Sequence, residues 1–478
     1  MRRFLKSSSA LALAGVALVF AASPFACGGD DSTNGNNTGG SGATGGSTTG
    51  TGGTTTTTSS GGGTTSTTSS GGGNGGNAGG AGGAGASGGS GGAGATGGNG
   101  GSGGQIQVDD ADGDGWTIAD GDCCDDAVSG CAAEPEKVNP GAFEYLGNGV
   151  DDDCDPATPD DVAVADCGGA PLQTPTTSIE LVKAMDLCQF TSENVPLNQK
   201  KWGVLESALV LADGNLPAPD DVQVGVLGGF GQNVAPKKGG TFAAISTGTA
   251  RAEGDPGYIH PQNGTAAQMG NYDAGTSSPV PPNWLALNGG ALPQSNNCPA
   301  CAGANCLTAF DPVNLRIKIR VPTNAEGFSY NFKFYTAEYP EYICQTYNDF
   351  FVALLTSSHP DLPQDAPDTN IAFDSLHNAV SVNNGFLDVC FPSGASTCPA
   401  GTLELIGNGM GGWAGNLKDG GGTQWLVNEA PVVPGESITI EFVTWDGAGA
   451  LPDHNVDSIV LLDKFKWNLT PTTVGTHL

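Results

Sequence analysis

Basic side chains are scarce in this sequence: 17 Lys and Arg stand against 49 Asp and Glu, for a formal net charge of -32. A chain this acidic repels phosphate backbones and anionic lipid surfaces, which argues against nucleic acid as a partner. Long apolar runs are equally rare, and beyond residues 10–22 no segment is apolar enough to cross a bilayer. Aromatic and large aliphatic residues are missing altogether from residues 32–104, which contain only Gly, Ser, Thr, Asn and Ala. Such a segment buries too little surface to offset chain entropy, so a disordered tether with a root-mean-square span of roughly 45 Å is predicted. Catalytic signatures are also lacking. The five histidines, His260, His359, His377, His454 and His477, are scattered without a metalloprotease spacing. Gly85-Ala86-Ser87-Gly88-Gly89 spells a nucleophile elbow inside low-complexity sequence, and Gly407-Asn408-Gly409-Met410-Gly411-Gly412 spells a dinucleotide fingerprint with no helix after it. A non-enzymatic protein is therefore expected.

What is present begins with an export signal. Arg2, Arg3 and Lys6 precede the apolar run of residues 10–22, the layout of a secretory signal peptide across residues 1–26. Ala26-Cys27-Gly28-Gly29 then resembles a bacterial lipobox, which implies a lipid on Cys27 and a membrane as partner; cleavage near Ala21 to Ser23 without lipid is the alternative. The chain has 13 cysteines, and setting Cys27 aside leaves an even remainder that an oxidising compartment can pair completely. Residues 27–104 are thus read as lipid attachment and tether, and the expected location is the cell envelope, with the anchor in the outer membrane.

Residues 105–166 form an acidic module. Asp110-Ala111-Asp112-Gly113-Asp114-Gly115 alternates carboxylates and ends on glycine, as in the first half of an EF-hand-type calcium loop, with the Trp116 carbonyl at the usual backbone position. Position twelve is Gly121, so Asp120 and Asp122 are the candidate closing carboxylates. Asn148-Gly149-Val150-Asp151-Asp152-Asp153-Cys154-Asp155 repeats the alternation with Asp151, Asp153 and Asp155. Pairing Cys123, Cys124 or Cys131 with Cys154 would bring the two runs together, and the spacing leaves that choice open. These segments, with Gly121-Asp122-Cys123 and Asn139-Pro140-Gly141-Ala142-Phe143-Glu144, resemble the MopE-type metal-binding repeat of bacterial surface proteins. Copper is associated with that family, but donors that are all hard oxygens argue for calcium in this copy.

Residues 167–470 read as a mainly β domain with a small helical segment, followed by a tail of residues 471–478. Helical spacing is read over residues 177–213, from Ile179, Leu181, Met185 and Cys188 on to Trp202, Leu205, Leu209 and Leu211. Residues 315–321 and 328–334 then alternate as half-buried strands, and further strands are predicted at 350–355, 438–445 and 458–467. Strands without intervening helices favour an antiparallel, jelly-roll-like β-sandwich with long loops. Glu338-Tyr339-Pro340-Glu341-Tyr342, Asn348-Asp349-Phe350-Phe351, Trp445-Asp446 and the run from Asp457 to Phe465 resemble the choice-of-anchor L domain, over about residues 177–467. That resemblance implies a bacterial surface protein and supplies no biochemical activity. Glu338, Glu341, Asp349, Asp457 and Asp463 are candidates for a second calcium site, by likeness of the last strand to jelly-roll binding modules. Cys298, Cys301 and Cys306 read as disulfide partners rather than zinc ligands, and Cys167, Cys188, Cys344, Cys390 and Cys398 as further staples. The expected role is adhesion, through an extracellular glycan or protein ligand. The alternatives are a hydrolase using Glu338 and Glu341, or an envelope spacer.

Overall fold

Alternating apolar side chains become strands because every second residue can enter one shared core. The computed structural model describes residues 110–478 except 127, 129, 163–164, 176, 262–271, 296–297, 302, 395, 412–417 and 450–455. The predicted signal peptide, Cys27, the tether and residues 105–109 lie outside the described residues, as does Gly412 of the glycine string.

Among the described residues, two antiparallel sheets form a β-sandwich. In the first, β1 (Gly203–Val210), β5 (Thr308–Arg320), β11 (Ser437–Gly447), β7 (Phe350–Thr356) and β8 (Val380–Ser381) lie side by side in that order, with β4 (Ser277–Pro279) on β5. The second runs β13 (Gly475–His477), β10 (Leu426–Pro431), β6 (Gly327–Thr336), β12 (Ser458–Asn468), β3 (Phe242–Ser246) and β2 (Val224–Leu227), with β9 (Gly421–Gly422) on β6. Register follows the apolar pattern: Ile317 of β5 sits opposite Ile440 of β11, and Phe334 of β6 opposite Val460 of β12. Between the sheets, Leu315, Ile317, Ile319, Ile440 and Phe442 meet Phe328, Tyr330, Phe332, Val460 and Leu462, all fully buried. Burying each such side chain contributes about 1.5–3 kcal/mol.

The helical reading of residues 177–213 is corrected. Only Ser178–Ala184 forms an α-helix (α1), its start held by the Glu180 carboxylate, which accepts hydrogen bonds from the Thr177 backbone N–H at 2.7 Å and hydroxyl at 2.6 Å. Pro196 interrupts the segment, and Gly203–Val210 is strand β1 on the edge of the first sheet. Leu205, Glu206, Ala208 and Leu209 are good helix formers, but the edge of β5 offers a ladder of backbone partners broken only by a bulge at Leu205, and tertiary pairing overrides the local preference.

Strand β6 also departs from the half-buried expectation, since both of its faces are buried. The face turned away from the inter-sheet core is covered by Val389, Met410 and Trp425, which pack in one cluster with Tyr335. Within that cover Lys333 is fully buried. Its ammonium donates to the Glu404 carboxylate and to the Thr423 carbonyl at 3.1 Å, and it lies 5.7 Å from the centre of the Trp425 ring. Burial pulls the Lys333 pKa down and the Glu404 contact opposes it.

All cysteines in residues 110–478 pair. The disulfides are Cys123–Cys154, Cys124–Cys131, Cys167–Cys188, Cys298–Cys344, Cys301–Cys306 and Cys390–Cys398.

Candidate metal centre

The acidic module rests on the turn between β5 and β6. The Thr323 N–H donates to the Gly141 carbonyl at 3.1 Å and its hydroxyl to Asn139 Oδ1 at 2.6 Å. Asn324 and Phe143 exchange two hydrogen bonds, at 2.8 and 2.9 Å. Lys137 pairs with Glu326 at 3.2 Å and Lys201 with Asp155 at 2.6 Å. Phe143 meets Trp202 edge-on at 5.5 Å, so an apolar contact backs the polar ones.

Within the module the first loop curls because Gly113 and Gly115 take left-handed backbone angles, φ 82° and 91°, open to glycine at little cost. The curl lets each carboxylate accept a backbone N–H two or three residues on: Asp110 from Gly113 at 2.7 Å, Asp112 from Asp114 at 3.1 Å, Asp114 from Trp116 at 2.7 Å. Carboxylate oxygens of Asp112, Asp114 and Asp122 then lie within 4.8 Å of one another, as do those of Asp110, Asp112 and Asp125. Asp112 is common to both groups. In the second run Glu144, Asp151 and Asp153 meet the same limit. The Cys123–Cys154 bond joins the residue after Asp122 to the residue after Asp153, clamping the two runs together.

Four or more carboxylates at this spacing repel, and their surroundings are partly dry. Burial is the main cause that pushes Asp114 up to about 6 and Glu144 up to about 7, and it also raises Asp112, Asp122 and Asp153. Asp122 Oδ2 and Glu144 Oε1 are buried in residues only 4% and 6% exposed, with no hydrogen-bond partner. A buried acceptor without a donor is costly. All-oxygen donors with spare buried lone pairs fit a hard divalent cation such as calcium, which takes six to eight oxygens; Mg2+ keeps most of its own water, and copper prefers nitrogen or sulfur.

Among the residues predicted from sequence, Asp110, Asp112, Asp114, Asp122, Asp151 and Asp153 are brought into these groups. Asp120 is not: its carboxylate accepts the Thr117 hydroxyl at 2.6 Å and helps start a short 3-10 turn. Asp155 is taken by Lys201, whose hydrogen bond holds its pKa below the usual value. Trp116 is buried against Gly141, with its backbone N–H on Asp114. Asp125 and Glu144 join the groups although neither was among the predicted ligands. Glu144 carried a signal, standing at the end of the Asn139–Glu144 segment shared with the repeat.

In the sandwich, Glu338, Asp349, Asp457 and Asp463 are buried and Glu341 is exposed. The Asp349 N–H donates to Glu338 Oε2 at 3.0 Å, and the Ser458 hydroxyl donates to Asp349. Asp457 packs so tightly on Gly248 that a Cβ there would come within 2.0 Å of its Oδ2. Asp463, further along β12, accepts from the Lys237 N–H at 2.5 Å, and burial is the main cause that pushes it up to about 7.

With this architecture in place, one segment of the chain matches a family model. Residues 313–467 match the family model of the Choice-of-anchor L domain. No curated protein and no solved structure matches the chain. The Choice-of-anchor L match runs from within β5 to the end of β12 and is shorter than the resemblance over residues 177–467 suggested. Strands β1 to β4 all precede it, yet they complete both sheets. The match to the Choice-of-anchor L model and six disulfides together point to an extracellular or surface protein, β-rich in build.

Proposed function

We propose that this is a non-enzymatic surface lipoprotein, held to a membrane through Cys27, whose acidic module binds calcium and whose β-sandwich mediates adhesion to a glycan or protein outside the cell. The observation that carries the calcium part is the pair of carboxylate groups with buried, unpartnered oxygens at Asp122 and Glu144, clamped by Cys123–Cys154. Calcium would be held by Asp112, Asp114 and Asp122 in one run and by Glu144, Asp151 and Asp153 in the other. Its positive charge would offset the repulsion that burial amplifies. Because the module is bonded to the β5–β6 turn through Asn139, Gly141 and Phe143, an ion that orders it also braces that end of the sandwich.

Adhesion is supported by the surface-protein family match and by the spacing that residues 32–104 provide between Cys27 and the head. The paired-carboxylate hydrolase gains no support from the exposed Glu341 beside the buried Glu338.

The experiment is a melt of the purified protein in chelator and then in millimolar calcium. Calcium is expected to raise the melting temperature, by about 2.7 kcal/mol of added stability when the free ion is a hundred times Kd. An unchanged midpoint refutes the metal reading. For the anchor, fatty-acid labelling of the wild type and of Cys27→Ser is expected to mark the wild type alone.

A further inference from the structure

Away from the acidic module, a cleft of about 410 Å³ lies where Ser295 and Cys298 meet the loops 343–344, 374–388 and 396–399. Its walls are fixed before any ligand arrives. Cys298–Cys344 and Cys390–Cys398 staple two of the loops. Asp374 organises a third, accepting the N–H groups of Leu376, Asn378 and Gly385 at 2.9, 3.0 and 3.0 Å and the Asn378 side-chain amide at 3.1 Å. We propose that this cleft binds a neutral, hydroxyl-rich ligand, one or two units of an uncharged saccharide. The assignment rests on the adhesive reading above and gives it a site and a ligand class.

The lining decides the class. None of its described residues is Lys, Arg or His, so nothing offsets the charge of a phosphate, sulfate or carboxylate. A metal ion finds no adequate donor set either, because Asp374 spends its oxygens on the loop and Asp388 Oδ2 already accepts from Gln424 at 3.3 Å. What remains is side-chain amide, with the hydroxyls of Ser295, Ser396 and Thr397. Asn383 receives the Cys344 N–H and donates once to Asn348, while Asn384 receives the Phe386 N–H and donates once to the Ser381 carbonyl. An amide carries two donors and two acceptor lone pairs, so each keeps bonding capacity. Paired donors and acceptors suit vicinal hydroxyls, which both give and take. Ile343, partly exposed where it packs on the cluster of Val382 and Leu387, offers apolar surface to the C–H face of a sugar ring. The volume is in the range of small-molecule sites. With no aromatic platform in the lining, each site binds weakly, with Kd of about a millimolar. Many copies on one surface convert such weak sites into adhesion.

The test is saturation-transfer NMR on the full chain with a panel of neutral and acidic mono- and disaccharides, run on wild type, Asn378→Ala and Thr397→Trp. The tryptophan fills the cleft from its exposed rim at residue 397 and spares the loop-organising Asp374. Transfer to neutral sugars is expected in the wild type, with at least a tenfold loss in Thr397→Trp at an unchanged melting temperature and a smaller loss in Asn378→Ala. Transfer to acidic sugars only, equal transfer in wild type and Thr397→Trp, or none at all overturns the assignment. Adhesion of the same proteins to envelope material is measured in parallel. Adhesion that survives Thr397→Trp discards the cleft and keeps the adhesive reading, whereas a wild type that neither adheres nor binds sugar discards both.

Discussion

The acidic module and the β-sandwich solve the folding problem by different physics, though they share one compact unit. In the sandwich, Ile317, Phe332, Phe442 and their neighbours are removed from water, and stability scales with apolar area. Few large apolar side chains are buried in the module; Trp116 and Val138 are the principal ones, and two disulfides hold a mesh of carboxylate-to-backbone hydrogen bonds. The contrast is one of means: the sandwich is held by apolar burial, whereas the module gathers carboxylates and leaves Asp122 Oδ2 and Glu144 Oε1 buried without a hydrogen-bond partner. The β5–β6 turn, through Thr323 and Asn324, is where one inherits rigidity from the other.

The largest effect that sharpens this contrast is Phe332→Ala, a cavity in the sandwich core. It is expected to cost about 3–5 kcal/mol in chemical denaturation, by the same amount in calcium and in chelator. A calcium-dependent cost would mean that the two regions are not separate in their energetics. Next comes Cys123→Ser with Cys154→Ser, which opens a closure of 31 residues. A loss of about 3–4 kcal/mol from the module is expected, and with it the calcium response of the melt. Retention of the full response would break the idea that the clamp assembles the ion site.

A pH series comes third. Asp463 carries a folded pKa of about 7, above its unfolded value, so the native state binds the extra proton between about pH 4 and 7 and stability falls as pH rises through that window. At about 1.4 kcal/mol per unit over about three units, Asp463→Asn is expected to recover up to about 4 kcal/mol at pH 8 and to flatten the slope, calcium or not. Glu144, raised to about 7 in the module, titrates in the same direction, but there calcium should abolish the slope by holding the carboxylate charged. Identical slopes with and without the ion would remove Glu144 from the ligand set. The smallest effect is Lys201→Ala. Its ion pair with Asp155 is more than a third exposed on the lysine side, and about 0.5 kcal/mol or less is expected, screened away by salt.

Much of the sandwich was legible beforehand where alternation is strong. The strands expected at 315–321, 328–334, 350–355, 438–445 and 458–467 correspond to β5, β6, β7, β11 and β12, where apolar or aromatic residues recur at alternate positions or in short unbroken runs. Strand β1 was not legible, since Leu205, Glu206, Ala208 and Leu209 satisfy a helix equally well and only the free edge of β5 chooses. The burial of Lys333 was equally hidden, because alternation marks which face a residue takes and not what later covers that face. In the module, alternate carboxylates announced a cation loop from Asp110 to Asp114, but Asp125 and Glu144 enter from other segments.

The sequence by itself determined the elements whose cause is local: a two-residue period that makes strands, carboxylates spaced around Gly113 and Gly115, and a charge of -32 that disfavours anionic partners. Tertiary structure alone decided which cysteine meets Cys154, which carboxylates converge, and that four loops enclose a cleft lined by Asn383, Asn384 and Asp388. The physical reason is range. Backbone preference and periodicity act over a few residues, whereas pairing, burial and electrostatic convergence depend on segments that only folding brings within a few ångströms.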